Sequence, residues 1–578
     1  MRSRPLPSAG LRAPLPSRFA LAACALAALS LAACNSDDDQ APPQLSPATG
    51  AALSGNCADL AAKLAALSNT SISATTTVAA GTLKVAGADV PEHCLVSGKM
   101  AQRTSAVDGQ PYAIGFEIRL PKAWNGRFFH QGNGGIDGSV VPATGAFGGG
   151  PTTHALLQGF AVLSSDAGHT AAVGSAFGID PQARLDYGYQ AVGKLTPMAK
   201  SVIQTAYGKA PDRSYFGGCS NGGRHTMVTA ARYADQYDGY VVGAPGFNLP
   251  KAAIANIFGA QRYASIATNP ADLSTAFTAA ERTTLANAVL AKCDALDGAT
   301  DGLIQDTGAC QKAFSLATDV PSCAAERTGS CLTAAQKTAI APIFSGAVTS
   351  TGAAVYASFP YDSGHGAAGI AFWEFTASLI LDSGAVGQIF KVPPEPTAGF
   401  NGPLFSLTSS IDTLVAQINA TNATYTESGM SFMTPPNPTD LSKVKNRGAK
   451  MIVYHGVSDP IFSVNDTSNW YDGVSSANNG DASGFVRLFR VPGMGHCSGG
   501  LATDQFDMVS AIVAWVEQGK APDSINATAR GAGNAGGLNA ELPASWSATR
   551  SRPLCPYPKV TRYKGSGDVE NAANFSCQ

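Results

Sequence analysis

The stretch GGCSNGGRH, residues 217–225, decides the fold of this chain. Within it, Gly218, Ser220 and Gly222 form the pattern G-x-S-x-G, which is typical of a sharp strand-to-helix turn that exposes a nucleophilic serine. The flanking residues fit such a turn, because RSYFGG predicts a buried strand before it and GRHTMVTAARYADQY has helical spacing after it. In a chain with 62 glycines a plain glycine turn is the alternative, so the interpretation depends on partner residues elsewhere.

The alternation of strand and helix continues on both sides of this turn. YAIGFEIRL, GRFFHQGNGG and GFAVLSSD predict strands before it, and GYVVGAP predicts another after the helix. Alanine-rich helical stretches and proline clusters replace this rhythm at 247–446, and it returns with AKMIVYHGVSDP and GFVRLFRVPGMGH. We therefore predict an α/β fold with a mainly parallel sheet and helices on both faces. Its core comprises 51–246 and 447–578, and 247–446 is an inserted lid domain.

The N-terminus predicts export. Four arginines precede the apolar run 19–33, which is too short to span a bilayer comfortably and is typical of a signal peptide, residues 1–33. The run ends in LAAC, which resembles the cleavage site of bacterial lipoproteins, so Cys34 is predicted to carry a lipid anchor. Ordinary signal cleavage near Ala33 is the alternative. The polar stretch 34–50 then predicts a tether, and the chain is either a cell-envelope lipoprotein or secreted.

Composition limits the class of protein further. The length of 578 residues and the hydrophobic content of 45% suit large buried cores, and a net charge of -2 gives no attraction to nucleic acid. Cys24 and Cys34 lie in the signal region, so ten of the 12 cysteines remain, which is typical of five disulfides in an exported chain. The short-range pairs are the simplest to propose: Cys293 with Cys310, Cys323 with Cys331, and Cys555 with Cys577.

A serine hydroxyl becomes a nucleophile when a base removes its proton and an acidic residue orients that base. After a G-x-S-x-G turn, the acid and the histidine follow the serine in that order, on loops after late strands. His455 and His496 lie in the returning core, and His455 is inside an apolar strand, where a packed histidine is expected. His496 follows the last strand in a loop, and Asp459 follows the preceding strand, although aspartate before proline is also common in turns.

Two cysteines favour His496 and Asp459 as the partners of the serine. Cys219 directly precedes Ser220, and Cys497 directly follows His496. If the serine and the histidine are within hydrogen-bond reach, their neighbours fall within the Cα separation that a disulfide tolerates. We therefore predict a catalytic triad of Ser220, Asp459 and His496, with a disulfide between Cys219 and Cys497.

The reaction of a serine nucleophile also needs fixed N–H donors where negative charge develops on the substrate oxygen. Asn221 follows the nucleophile, so its main-chain N–H is one predicted donor. The other should come from the loop after an early strand, and GNGG, residues 132–135, has that position. We predict the N–H of Gly135, with Gly134 as the alternative.

The segment CDALDGATDGLIQD, residues 293–306, gathers Asp294, Asp297 and Asp301 on a tight turn. Carboxylates so close together repel one another unless a hard cation binds them, and main-chain carbonyls can complete the shell of a calcium ion. The spacing is not that of an EF-hand. The segment therefore indicates either a calcium loop or a solvated acidic turn.

Together these motifs resemble the tannase and feruloyl esterase family of α/β-hydrolases. The resemblance is carried by GCSNGGR, YHGVSDP, VPGMGHCSGG, CDALDGATDG, FGIDPQARLDYGY and RPLCPYPKVTRYKGSGD. It implies an α/β-hydrolase core, the triad and the disulfide beside it, and it adds a disulfide between Cys57 and Cys94. It also implies structural Ca²⁺ in the lid, with a ligand set made of the Asp294, Asp297 and Asp301 side chains and the carbonyls of Ala299 and Leu303.

The resemblance implies a serine esterase for small esters of aromatic acids, such as feruloyl or galloyl esters. Trp373 and Phe462 are candidates for contact with an aromatic acyl group, although core packing is the ordinary role of such residues. Mono(2-hydroxyethyl) terephthalate hydrolase activity is an alternative, but members with that activity carry a lid arginine for the substrate carboxylate, and 328–446 contain no arginine. Lys391 is a possible substitute. A catalytically silent binding lipoprotein and a serine peptidase on the same fold are the rival functions.

Overall fold

A nine-stranded sheet lies at the centre of the computed structural model, which describes residues 43–146, 154–324 and 326–578. The predicted signal peptide, Cys34 and the first part of the predicted tether lie outside these ranges. In chain order the strands are β1 (Thr70–Val78), β2 (His93–Thr104), β3 (Pro111–Pro121), β4 (Arg127–Gly132), β5 (Ala161–Ser165), β6 (Arg213–Cys219), β7 (Gly239–Gly243), β8 (Lys450–Gly456) and β9 (Val486–Val491). Their spatial order is β9-β8-β7-β6-β4-β5-β3-β2-β1.

The sheet is mainly parallel, as the sequence predicted. The neighbouring strands from β9 to β5 run parallel, and β3, β2 and β1 extend the sheet in the antiparallel sense. Strands β7 and β8 are buried along their whole length, which is typical of parallel strands covered by helices on both faces. The helices Ala191–Tyr207 and Val464–Ser476 pack on one face, and Met508–Gln518 packs on the other.

The chain between β7 and β8 is built of helices and loops. Its longer α-helices are Leu249–Ala264, Ala279–Cys293, Thr307–Ala313, Ala334–Ser345, Gly402–Thr408, Ile411–Ile418, Gly429–Met433 and Ser442–Asn446. One apolar cluster contains residues of these helices together with Ile461 and Phe462 of the returning core. Pro43–Gln578 form one compact unit. The predicted lid therefore packs as part of that unit, and its boundaries at 247 and 446 stay a prediction.

The remaining elements are short or cover the faces of the sheet. The other α-helices of four or more residues are Leu60–Leu64, Pro181–Leu185, Asn221–Arg232 and Leu316–Asp319. Two-residue to four-residue strands pair as Ala51–Ala52 with Ala123–Trp124, Lys84–Val85 with Ala88–Asp89, Ile525–Thr528 with Ser551–Leu554, and Thr561–Tyr563 with Phe575–Cys577. In the part of the chain that the structure describes, no helix is both long enough and apolar enough to cross a membrane.

Five disulfides connect the described residues, and they include every predicted pair. The bridges are Cys57–Cys94, Cys219–Cys497, Cys293–Cys310, Cys323–Cys331 and Cys555–Cys577. Disulfides in this number persist in oxidising compartments and are rare in the cytosol. The chain is therefore an exported protein.

Candidate active site

Ser220 lies at the turn between β6 and the helix Asn221–Arg232, which we call the elbow helix. Its backbone angles, φ 66° and ψ -127°, are uncommon for a residue with a side chain, and they hold the hydroxyl clear of the main chain. The turn packs closely on the end of β4: a Cβ on Gly218 or Gly222 would lie 2.4 or 2.3 Å from the carbonyl oxygen of Gly132. Packing therefore requires glycine at both positions of the G-x-S-x-G pattern.

The structure brings Ser220, His496 and Asp459 together in the predicted order. His496 Nε2 lies 2.8 Å from Ser220 Oγ, and His496 Nδ1 lies 2.8 Å from Asp459 Oδ2. Asp459 follows the end of β8 and His496 follows the end of β9, so both come from loops at the carboxyl edge of the parallel strands. With these distances the imidazole can take the serine proton while the carboxylate holds the ring in place.

The Asp459 carboxylate is buried, but its surroundings keep it ionised. Asp459 Oδ1 accepts hydrogen bonds from the main-chain N–H groups of Ile461 at 3.0 Å and Phe462 at 3.1 Å. Burial opposes ionisation, but the attraction of His496 and a hydrogen bond from His455 outweigh it, so the pKa of Asp459 lies below its usual range. Asp459 can therefore stabilise the imidazolium that forms when His496 takes a proton.

The loop after β4 passes beside the nucleophile. A Cβ on Gly134 would lie 3.8 Å from Ser220 Cβ, and Gly135 follows with a φ of +63°. Asn221 is the first residue of the elbow helix, where main-chain N–H groups have no partner within the helix. Neither the N–H of Gly135 nor that of Asn221 donates a main-chain hydrogen bond within the described residues. Both predicted oxyanion donors therefore lack a main-chain acceptor among the described residues, and their role stays a prediction.

A serine, histidine and aspartate at an elbow of this kind are common to many hydrolases, and sequence comparison decides the family. The family model "Tannase and feruloyl esterase" matches residues 94–578. The chain belongs to this family. A mono(2-hydroxyethyl) terephthalate hydrolase from Piscinibacter sakaiensis is 40% identical over 528 residues, which cover 85% of each chain. A probable feruloyl esterase B-1 from Neosartorya fischeri is 29% identical over 80% of this chain and 82% of that protein.

Solved structures of the tannase and feruloyl esterase family support the same assignment. The crystal structure of feruloyl esterase B from Aspergillus oryzae superposes with a TM-score of 0.71 at 25% identity, covering 90% of this chain and 99% of that chain. The sheet and its covering helices are therefore those of an α/β-hydrolase, as predicted. The chain is a carboxylic ester hydrolase of this family.

His455 is a packed core histidine, as its strand predicted, and it also contacts the acid of the triad. We assign the proton to Nε2, which donates to the carbonyl oxygen of Phe462 at 2.9 Å and lies 3.3 Å from Asp459 Oδ2. Its Nδ1 lies 2.9 Å from Thr467 Oγ1. The sequence pattern gave no sign of this second role, although His455 lies four residues before Asp459 at the end of the same strand.

Trp373 and Phe462 both contact the ring of His496. The ring centroids of Trp373 and His496 are 4.8 Å apart and those of Phe462 and His496 are 5.3 Å apart, in edge-to-face arrangements. Trp373 is half-buried, whereas Phe462 is only 2% exposed. In this esterase, Trp373 is therefore the one of the two with ring surface available for a substrate, and Phe462 supports His496 from within the protein.

Lys391 is not a free cation. Its ammonium group forms an ion pair with Glu395, and its side chain is 7% exposed. A substrate carboxylate would have to compete with Glu395 for this charge. Lys391 is thus a poor candidate for the positive charge that would pair with a substrate carboxylate.

The predicted calcium loop directly follows the helix Ala279–Cys293. Asp294 accepts a hydrogen bond from the N–H of Gly302 at 3.0 Å, and Asp301 forms an ion pair with Arg552. Burial, together with repulsion from Asp301 and Asp294, raises the pKa of Asp297 to about 7. Neutral Asp297 would relieve this repulsion, and so would a bound divalent cation.

Donor chemistry in this loop fits calcium. The main-chain carbonyls of Ala299 and Leu303 belong to buried residues, and neither accepts a main-chain hydrogen bond from the described residues. Oxygen atoms of this kind, with carboxylates, are the ligands that calcium takes. Within the described residues, however, no three carboxylate, histidine or cysteine side chains converge as a metal site. The predicted ligands therefore lie on one loop but do not surround a common position, and calcium stays a proposal.

Proposed function

We propose that this esterase hydrolyses small esters of aromatic carboxylic acids through an acyl-enzyme on Ser220. The observation that carries the proposal is the hydrogen-bonded chain from Ser220 through His496 to Asp459, with 2.8 Å at each step. It occurs in a chain of the tannase and feruloyl esterase family. A silent binding protein would have no use for a strained serine whose proton acceptor is already in place.

In the first half of the reaction, Ser220 Oγ attacks the ester carbonyl carbon while His496 Nε2 takes the hydroxyl proton. The N–H groups of Asn221 and Gly135 hold the oxygen that becomes negative. When the tetrahedral intermediate collapses, the C–O bond to the alcohol breaks and His496 returns the proton to the leaving oxygen. The products of this half are the free alcohol and an acyl ester on Ser220.

In the second half, water takes the place of the serine hydroxyl. His496 Nε2 removes a proton from the water as its oxygen attacks the acyl carbon, and the same two N–H groups hold the oxyanion. Collapse breaks the bond to Ser220 Oγ, which recovers its proton from His496. Buried Asp459, with its lowered pKa, stays ionised throughout and stabilises the imidazolium of both halves.

Two observations bear on the acyl group. Trp373 presents a half-buried ring next to His496, and an aromatic acyl group beside it gains stacking contact. The 40% identity to a mono(2-hydroxyethyl) terephthalate hydrolase favours a terephthalate monoester as the second candidate substrate. The pairing of Lys391 with Glu395 and the absence of arginine from 328–446 disfavour it, since neither Lys391 nor an arginine of this range is then free to pair with a substrate carboxylate.

A matched panel of methyl ferulate, methyl gallate and mono(2-hydroxyethyl) terephthalate tests the proposal, with kcat/KM measured for the wild type and for Ser220→Ala. We expect the wild type to prefer a phenolic ester, and Ser220→Ala to be inactive on all three. A preference for the terephthalate would make the second candidate the function. Inactivity of both proteins, with no labelling of Ser220 by a fluorophosphonate, would support the silent binding protein. Turnover of the matching amide as fast as the ester would indicate a peptidase.

We also propose that the loop at 293–306 binds calcium and that Cys34 carries a lipid anchor. The carbonyls of Ala299 and Leu303 and the repulsion at Asp297 support calcium, and a fall in Tm on chelation, reversed by Ca²⁺ but not by Mg²⁺, is the expected result. An unchanged Tm would count against it. The LAAC sequence supports the anchor, and mass spectrometry of the mature N-terminus, compared with Cys34→Ser, tests it.

A further inference from the structure

A buried polar cluster joins the loop that carries Gly135 to the elbow helix. Its members are Asp137, Asn221, Arg224 and His225, and we call it the Asp137 cluster. The side chains of Asp137 and His225 are 1% and 5% exposed, and Arg224 is fully buried. No member belongs to the triad, and the G-x-S-x-G pattern does not require an ionisable residue at these places. The cluster therefore needs its own explanation.

One carboxylate oxygen joins the two elements that carry the oxyanion donors. Asp137 Oδ2 lies 2.9 Å from Asn221 Nδ2, which donates to it, and 2.8 Å from His225 Nε2. Asp137 belongs to the loop after β4, whereas Asn221 and His225 belong to the first turns of the elbow helix. On its other side, Asn221 Oδ1 accepts a hydrogen bond from Arg224 Nε at 2.9 Å. The side chain of Asn221 is thus held at both ends.

The backbone of Asp137 shows that these contacts hold the loop in shape. Asp137 has a φ of 57°, a conformation that residues with side chains seldom adopt. Its N–H donates to the carbonyl oxygen of Gly134 at 3.2 Å and closes a turn with Gly135 inside it. Strain of this kind persists when surrounding contacts over-determine it, and it is concentrated at functional sites. Here the bonds to Asn221 and His225 supply that constraint.

A role in stability alone explains the cluster less well. Burial raises the pKa of Asp137 to about 7 and lowers that of His225 well below its usual range, so both groups resist being charged where they lie. His225 Nδ1 is buried without a hydrogen-bond partner in the described residues. Apolar side chains of the same volume would avoid both penalties. Apolar side chains would not, however, form directional hydrogen bonds that fix the loop relative to the helix.

We propose that Asp137 is a positioning residue that sets the separation of the two oxyanion donors, the main-chain N–H groups of Gly135 and Asn221. It acts through Asn221 and His225 and touches neither Ser220 nor the substrate. The inference rests on the proposed function, because it assigns those two N–H groups to the oxyanion. An oxyanion donor acts mainly in the transition state, so a displaced donor lowers kcat with little effect on KM.

Asp137→Ala removes the link, and Asp137→Asn keeps an oxygen that can accept the same hydrogen bonds. We expect kcat to fall by about 10- to 100-fold in Asp137→Ala, a part of the loss caused by deleting an oxyanion donor, with KM changed by less than about twofold. Asp137→Asn should restore kcat to within about threefold of the wild type. A boronic acid that mimics the tetrahedral intermediate should bind more weakly to Asp137→Ala in parallel with kcat/KM, whereas the free product acid should bind equally well.

Asp238→Ala is the matched control, because it also removes a buried carboxylate. Asp238 directly precedes β7, at the amino ends of the parallel strands, whereas the triad lies at their carboxyl ends. Asp238 accepts a hydrogen bond from the N–H of Ser214 at 2.8 Å and pairs with Arg447 at 2.9 Å. It should lower Tm and leave kcat unchanged. A loss of kcat in Asp137→Ala no larger than in Asp238→Ala, or a change in KM alone, overturns the inference. Ser220→Ala separates this failure from that of the proposed function, which fails if Ser220→Ala keeps wild-type turnover.

Discussion

Removal of the disulfide between Cys219 and Cys497 should affect both the stability and the chemistry of this esterase. The two cysteines are 278 residues apart in the chain, and their Cα atoms are 6.1 Å apart in the fold. A cross-link over such a long loop restricts the unfolded chain strongly. For a loop of 278 residues, chain entropy alone predicts that its loss lowers the free energy of unfolding by about 5.5 kcal/mol.

The disulfide between Cys555 and Cys577 provides the comparison, because it is remote from the triad. Its loop of 22 residues predicts a loss of about 3.5 kcal/mol on the same basis. The Cys219→Ala/Cys497→Ala double variant should therefore be less stable than the Cys555→Ala/Cys577→Ala double variant by about 2 kcal/mol. Chemical denaturation followed by tryptophan fluorescence, at equal protein concentration and with reversibility checked, measures the difference.

The same pair of variants separates the effect of the Cys219–Cys497 disulfide on catalysis from its effect on stability. Cys219 and Cys497 adjoin Ser220 and His496, so without the bridge the 2.8 Å contact between Oγ and Nε2 is held only by packing and by the hydrogen bond from His496 to Asp459. We expect kcat to fall by about tenfold or more in the first double variant, measured well below its transition, and to stay unchanged in the second. Equal stability of the two variants, together with an unchanged kcat in both, would refute the reasoning.

Three further outcomes follow from the site. Ser220→Ala should lower kcat/KM by at least about 10,000-fold and keep the wild-type Tm, since it deletes one hydroxyl at the surface of the cleft. Trp373→Ala should raise KM for methyl ferulate by about three- to tenfold but leave KM for methyl acetate unchanged, because only the aromatic acyl group stacks on that ring. In the chelated protein, Asp297 with its pKa of about 7 is protonated on folding between roughly pH 4 and 7, so Tm should rise as pH falls through this window. Asp297→Asn should flatten this rise, and an identical slope in wild type and variant would contradict it.

The triad and the central strands could be predicted because each leaves a local mark on the sequence. Buried parallel strands appear as short apolar runs, and the chain order of Ser220, Asp459 and His496 is the order that the strand ends impose. The cysteines beside Ser220 and His496 added a long-range contact that short patterns do not contain. Because a cysteine lies next to each of the two residues in contact, the sequence alone could predict that contact.

The antiparallel strands β1 and β2 and the Asp137 cluster left no such mark. β1 (Thr70–Val78) is rich in threonine and serine, and all nine of its residues are exposed or half-buried, so it lacks a continuous apolar run. Asp137 and His225 are 88 residues apart, and neither neighbours a cysteine or a motif that implies their contact. Only the approach of the β4 loop to the elbow helix brings them together.

Phe462 contacts both the acid of the triad and the lid helices. Its N–H donates to the acid of the triad, and its ring lies in the apolar cluster that the lid helices form with the core. Any exchange of the lid for that of a relative would alter the packing around this ring and, through it, the loop of Asp459. The packing of the lid helices and the position of Asp459 are therefore coupled through Phe462. Variants selected for new substrates should acquire compensating substitutions at 459–462 in addition to substitutions in the lid.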